Sequence, residues 1–239
     1  MTVWKSFGAS VIGPNHIATG KPNQDAWSPF HHVWGDGITT SDGLGSKPFS
    51  NFGNRAACLA VVHAVYACCG KIGMGHAFLS DRIIKNWLSF IAPLESRDCA
   101  PTCLLAFRMD DGMARLGMLG DGLVATVKTD GSVVSLSDDK TEGFSNITAA
   151  LWPNGTEKDW RWLSIPEDDC KSIVLCTDGV SDDLKDTDGF VKEFANAHRD
   201  LSSVSASRRT YEMLENWPTP KHSDDKTIAC LFREEVADA

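Results

Sequence analysis

Five short stretches of this chain place an aspartate where an apolar run meets a turn. They are Asn23-Gln24-Asp25-Ala26, Ser41-Asp42-Gly43, Gly120-Asp121-Gly122, Thr177-Asp178-Gly179 and Ser223-Asp224-Asp225-Lys226-Thr227. One such aspartate is an ordinary turn former, because its side chain caps its own backbone and a following glycine tolerates positive φ. Five of them open a second reading. Hard divalent cations such as Mg2+ and Mn2+ take near-octahedral oxygen ligands from carboxylates, backbone carbonyls and water. A glycine beside the aspartate lets the backbone itself approach the ion. If the strand ends that carry these residues converge on one rim, the chain builds a carboxylate metal centre.

Positioning them requires strands that end together. Ile38-Thr-Thr-Ser41 leads into Asp42, and Val174-Leu-Cys-Thr177 leads into Asp178. Thr39 and Thr40 are polar for a central strand, which leaves the bounds of the first run open. After Thr102 the turn signals Asp110-Asp111-Gly112, Gly120-Asp121-Gly122 and Thr129-Asp130-Gly131 recur in the manner of an antiparallel meander. Trp160 to Ile165, Lys171 to Thr177 and Thr227 to Phe232 read as three further strands. Helical spacing predicts a buried helix from Ser50 to Gly70 and a second from a Ser80 cap through Ile83, Ile84, Trp87, Leu88 and Ile91, stopped by Pro93. Two more run from Thr187 to His198 and from Ser202 to Trp217. Strands and helices come in blocks, which favours an α+β fold of antiparallel sheets covered by helices.

No repeat or charge block divides the 239 residues, and Ser137 to Gly155 is too short for a linker, so one domain over 1–239 is expected. Thirty-two acids against 23 bases give a net charge of -9, the wrong sign for nucleic acid or an anionic membrane. No apolar run approaches the roughly 18 residues of a membrane span, and the start Met1-Thr-Val-Trp-Lys5 lacks a signal-peptide core. Eight cysteines, among them Cys58, Cys68, Cys69 and Cys176 inside apolar runs, read as reduced thiols of a cytoplasmic protein. Cys99 and Cys103 lack a second pair at zinc-ligand spacing.

Taken in order, Gly13-Pro-Asn-His-Ile-Ala-Thr-Gly-Lys-Pro-Asn-Gln-Asp25-Ala, Ser41-Asp42-Gly43-Leu-Gly45-Ser, Leu119-Gly-Asp121-Gly, Cys176-Thr-Asp178-Gly-Val and Ser223-Asp224-Asp225-Lys-Thr227 carry a family likeness. Over Val11 to Leu231 the chain resembles the metal-dependent type 2C protein serine/threonine phosphatases, in their bacterial form. The resemblance implies a four-layer α-β-β-α sandwich, two antiparallel sheets packed between helix pairs. It implies two Mn2+ or Mg2+ ions, with Asp42 bridging them and Gly43 offering its carbonyl to one. Asp25, Asp178 and Asp224 become the remaining acidic ligands or holders of bound water, and Asp121 joins Asp178 in holding a third, weaker ion. Asp42 and Asp178 are then the catalytic aspartates. The implied reaction is in-line attack of a metal-bridging hydroxide on phosphoserine or phosphothreonine, with no phosphoenzyme. The implied partners are a phosphorylated protein substrate and a cognate serine/threonine kinase pathway.

The chain departs from the family pattern in places. Where an arginine commonly holds the substrate phosphate there is Gly20, which leaves Lys21 and His16 as candidate phosphate contacts. Leu44 replaces the histidine that follows Asp-Gly in many eukaryotic members, with His222 as a fallback proton donor. Asp225 stands where an asparagine is usual and could merely cap the last strand. Trp152, Trp160 and Trp162, around Pro153-Asn-Gly155, fit a flap beside the substrate or, preferably, core packing. Cys103 and Arg108 are one residue too close for a cysteine-based phosphatase loop. Two other functions remain open at this stage: hydrolysis of a small phosphoester, and a catalytically silent binding module of the same fold.

Overall fold

The computed structural model describes residues 2–69, 75–137, 149–218 and 223–235. Strand β1 (Thr2–Val11) and a short helix α1 (Pro14–Thr19) precede the hairpin of β2 (Asp25–His32) and β3 (Gly35–Asp42). Helices α2 (Ser50–Cys68), α3 (His76–Ile91) and one-turn α4 (Ser96–Cys99) follow. Strands β4 (Cys103–Met109), β5 (Met113–Leu119), β6 (Leu123–Lys128), β7 (Val133–Ser137), β8 (Arg161–Pro166) and β9 (Cys170–Cys176) come next. One-turn α5 (Asp178–Ser181), α6 (Thr187–His198) and α7 (Ser203–Glu215) lead into β10 (Lys226–Glu235).

The strands form two antiparallel sheets, ordered β1-β10-β9-β6-β7 and β2-β3-β4-β5-β8. Side chains alternate across each strand, so the central strands divide between two apolar layers. On β4, Leu105 and Phe107 join Ala57, Val61, Ile83 and Trp87 beneath α2 and α3, while Leu104 and Ala106 meet Val124, Leu175 and Ala229 between the sheets. On the other sheet, Val174 and Cys176 turn to Val191, Phe194 and Ala206 of α6 and α7. Both faces are covered, which is why these strands read as continuous apolar runs. The layering is the expected α-β-β-α sandwich.

Several local expectations need correction. The run after Thr102 is not one meander: β4 and β5 pair in one sheet and β6 and β7 in the other, so the chain changes sheets at Gly120-Asp121-Gly122. Gly120 and Gly122 adopt φ of 98° and 111°, a region closed to most side chains, and a Cβ on Gly122 would lie 2.6 Å from the Cys176 carbonyl oxygen. Helix α3 begins at His76, and Ser80 is a buried residue within it whose hydroxyl donates to the Ala77 carbonyl. The preceding turn is helical because Leu79 packs into the same core as Ile83. Thr39 and Thr40 are fully buried in β3, a central strand after all, where Thr39 Oγ1 donates to the Leu104 carbonyl at 2.8 Å. Trp217 lies just past the end of α7, with its Nε1 donating to Asp183. β1 and α1 carry no signal strong enough to read from sequence; β1 is fixed by pairing with β10 along its whole length, from Thr2 opposite Glu235 to Val11 opposite Lys226. Among the described residues no helix is long and apolar enough to cross a membrane.

Candidate metal centre

The aspartates meet where strands of both sheets end. Asp25 is the first residue of β2 and Asp42 the last of β3, and the register sets them directly opposite each other. Thr102 holds Asp42 by its backbone, with the Thr102 N–H donating to the Asp42 carbonyl at 2.7 Å and the Asp42 N–H donating to Thr102 Oγ1 at 2.9 Å. Thr177, at the end of β9, donates its hydroxyl to Asp25 Oδ2 at 2.7 Å. The next residue, Asp178, opens α5. The sheet-changing turn brings in Asp121, and carboxylate oxygens of Asp42, Asp121 and Asp178 lie within 4.8 Å of one another. Asp224, just before β10, is exposed and forms a second such group with His16 and Asp225. Gly43 is buried against α2: a Cβ there would lie 2.6 Å from Ser50 Cβ, so only glycine lets the backbone turn at this point.

So much like charge raises proton affinity. Burial, with the negative charge of Asp225 added, pushes the Asp25 carboxyl up to about 7. Burial and then the charges of Asp121, Asp224 and Asp182 raise Asp178 to about 6. Asp42 is held well above the usual carboxylate range by burial and by Asp25, Asp178 and Asp224. Lys226 is buried with its ammonium donating to the Asp224 carbonyl at 2.9 Å. Converging oxygen donors with an excess of negative charge fit a hard divalent cation.

Asp225 is more than the strand cap expected of it: in its buried carboxylate, Oδ1 accepts from the Gly13 N–H at 2.6 Å, and Oδ2 accepts from the Gln24 N–H at 2.6 Å and lies 2.8 Å from His16 Nδ1. It ties the start of α1 and the approach to Asp25 onto the last strand. His16, a candidate phosphate contact, is buried with this nitrogen committed to that clamp, while Lys21 is exposed. Thr102, Thr177 and Asn54, whose amide donates to the Gln24 carbonyl, were not singled out either. Of these, only Thr177 had a signal, its place before Asp178-Gly179. His222 lies outside the described residues. Replacing Asp225 with alanine would strand the Gly13 and Gln24 amides in the interior. At about 1–3 kcal/mol for each unsatisfied buried group, Asp225→Ala is expected to lose about 3 kcal/mol of unfolding free energy in a urea titration.

Two other expectations resolve plainly. Trp160 is core, whereas Trp152 is half-buried and Trp162 stacks between Trp160 and His76. All eight cysteines are free. Burial holds the Cys103 thiol well above its usual range, and Arg108 is engaged with Asp36, so no thiolate and arginine face a phosphate.

The family model described as Protein phosphatase 2C matches residues 12–215. The chain belongs to that family. Its fold also matches solved structures at low sequence identity. RsbX in complex with magnesium is 13% identical, with a TM-score of 0.63 and 97% of this chain matched to 96% of that one. The photosystem II phosphatase PBCP is 12% identical, with a TM-score of 0.68 over 96% and 98%. The catalytic domain of the serine/threonine protein phosphatase PstP, with two manganese ions, is 16% identical, with a TM-score of 0.61 over 98% and 100%. No curated protein matches the chain.

Proposed function

We propose that this phosphatase 2C chain is one domain over 1–239 that hydrolyses phosphoserine and phosphothreonine in proteins with Mn2+ or Mg2+. The observation that carries the reading is the meeting of Asp42, Asp121 and Asp178 within 4.8 Å, with Asp25 opposite Asp42 in the strand register. Asp25, Asp42, Asp178, Asp224 and the Gly43 carbonyl hold two ions, and Asp121 with Asp178 holds a third. RsbX with magnesium and PstP with two manganese ions support this choice of metal. When bound, the ions supply Lewis acidity toward the phosphoryl group and an activated nucleophile at neutral pH.

The chain's own residues set the geometry for that chemistry. Thr102 and Thr177 fix Asp42 and Asp25, and the Asp225 clamp holds the segment that carries Lys21. Leu44 offers no proton, so the residue that follows Gly43 supplies no acid. A phosphorylated protein is the substrate, supplied by a serine/threonine kinase. The free, mostly buried cysteines support a cytoplasmic setting.

The deciding assay is hydrolysis of an aryl phosphate and of phosphothreonine peptides with Mn2+ and with a chelator. Activity is expected only with metal; full turnover in chelator-treated protein would remove the metal mechanism, and hydrolysis of the aryl phosphate alone would favour a small phosphoester.

Asp121 separates turn from ligand. As a turn former alone it would tolerate asparagine, which makes the same local hydrogen bonds. As a ligand it loses a charge, and Asp121→Asn is expected to need about tenfold more Mn2+ for half-maximal rate. A wild-type metal curve would leave it a turn residue.

A further inference from the structure

Resting on that reading, we propose that Lys47 and Trp152 form a subsite that selects an acidic side chain next to the phosphorylated residue of the substrate. The two residues come from separate segments that both border the metal centre. Lys47 sits four positions beyond Gly43, in the turn closed by its own N–H donating to the Leu44 carbonyl at 2.8 Å. Trp152 follows Leu151, whose N–H donates to the Pro101 carbonyl at 2.9 Å, and Pro101 forms a β-bridge with Gly43. On its other side the segment runs back to the Asp121 turn, where the Ala149 carbonyl oxygen lies 2.7 Å from the position a Cβ on Gly120 would take. Gly43, Pro101 and Leu151 are thus adjacent, and the side chains beyond them converge: the Lys47 ammonium lies 5.6 Å from the Trp152 ring centroid.

An indole face holds a lysine without neutralising it. Among the described residues Lys47 has no carboxylate partner, although the chain carries 32 acids. The indole N–H of Trp152 likewise meets no acceptor among them. A held, unneutralised cation beside a half-buried indole offers an anionic side chain both a charge partner and an apolar wall. Three residues, Leu44, Gly45 and Ser46, separate Lys47 from Gly43, which keeps Lys47 out of the ligand set and at its border. Lys47 therefore acts on specificity, not on the reacting atoms.

The test compares two phosphothreonine peptides that differ only in carrying Glu or Gln beside the phosphothreonine, with the Mn2+-loaded enzyme. Wild type is expected to show a KM about fivefold lower for the Glu peptide, the scale of one partly exposed charge pair. Lys47→Met keeps the stem on the indole and is expected to equalise the two KM values, with kcat for the Glu peptide within about twofold because ground-state and transition-state binding fall together. Lys47→Arg is expected to restore the preference, and Trp152→Leu to weaken it. Equal KM values in wild type, or a preference that survives in Lys47→Met, overturns the subsite. Binding of the same peptides to chelator-treated protein, followed by tryptophan fluorescence, separates the two readings. A Lys47-dependent preference in binding, together with no hydrolysis of either peptide in the Mn2+ assay, sinks the phosphatase reading and keeps the subsite; hydrolysis with Mn2+ without the preference does the reverse.

Discussion

Asp42→Asn is expected to reduce turnover at saturating Mn2+ by about a thousandfold, about 4 kcal/mol of barrier, while the metal-free variant melts no lower than wild type at pH 7.5. The two halves have one cause. Asp42 lies across the register from Asp25 and within 4.8 Å of Asp121 and Asp178, and its carboxyl is held well above the ordinary range. Ionising it in the folded protein therefore costs free energy, at 1.36 kcal/mol for each pKa unit. Asparagine removes that charge at nearly constant volume, and the contacts to Thr102 survive because they use the Asp42 backbone. What is lost is a charged side chain that would hold the metal. A variant that is inactive and destabilised would point to folding and away from the metal. A variant active at wild-type rate would displace Asp42 from the site.

How much of this was legible in the sequence depended on whether the signal was local. Asp42-Gly43 and Asp178-Gly179 could be seen because apolar runs stop abruptly at a polar step and a glycine, a pattern contained in five or six residues. Helix α6 runs over the span expected of it, Thr187 to His198, with apolar residues on its inner face; in the structure Asp186 caps it, accepting from the Gly189 N–H. Asp225 was misjudged for the opposite reason. Its partners, Gly13, His16 and Gln24, lie some two hundred positions away, and an aspartate beside another aspartate looks like a turn. The meander failed similarly: Gly120-Asp121-Gly122 has the composition of a hairpin turn, but whether the next strand returns to the same sheet is settled by packing. β1 has an irregular pattern because Trp4 faces the inter-sheet layer, Phe7 and Ala9 face the outer helices and polar residues intervene. Only its pairing with β10 makes it a strand.

The thermal shift produced by Mn2+ is expected to grow between pH 5.5 and 7.5 even as the metal-free protein loses stability over the same range. Asp178 and Asp25 titrate near 6 and 7 in the metal-free fold, above the ordinary aspartate value of 3.8, and Asp42 is also raised. Between those limits the folded state binds more protons than the unfolded chain, so raising the pH withdraws stability from it. Divalent cations take the deprotonated carboxylates, so every proton still bound below a group's pKa weakens metal binding about tenfold per pH unit. For groups near 6 and 7, moving from pH 5.5 to 7.5 tightens apparent affinity about a hundredfold. At Mn2+ well above its dissociation constant that adds about 2.7 kcal/mol, or about 5–10 °C for a chain of this size. Scanning calorimetry with and without Mn2+, at constant ionic strength, reads both trends. A shift equally large at both pH values would mean that the ions do not displace protons from Asp25 and Asp178, and the cluster would lose its place as the metal centre.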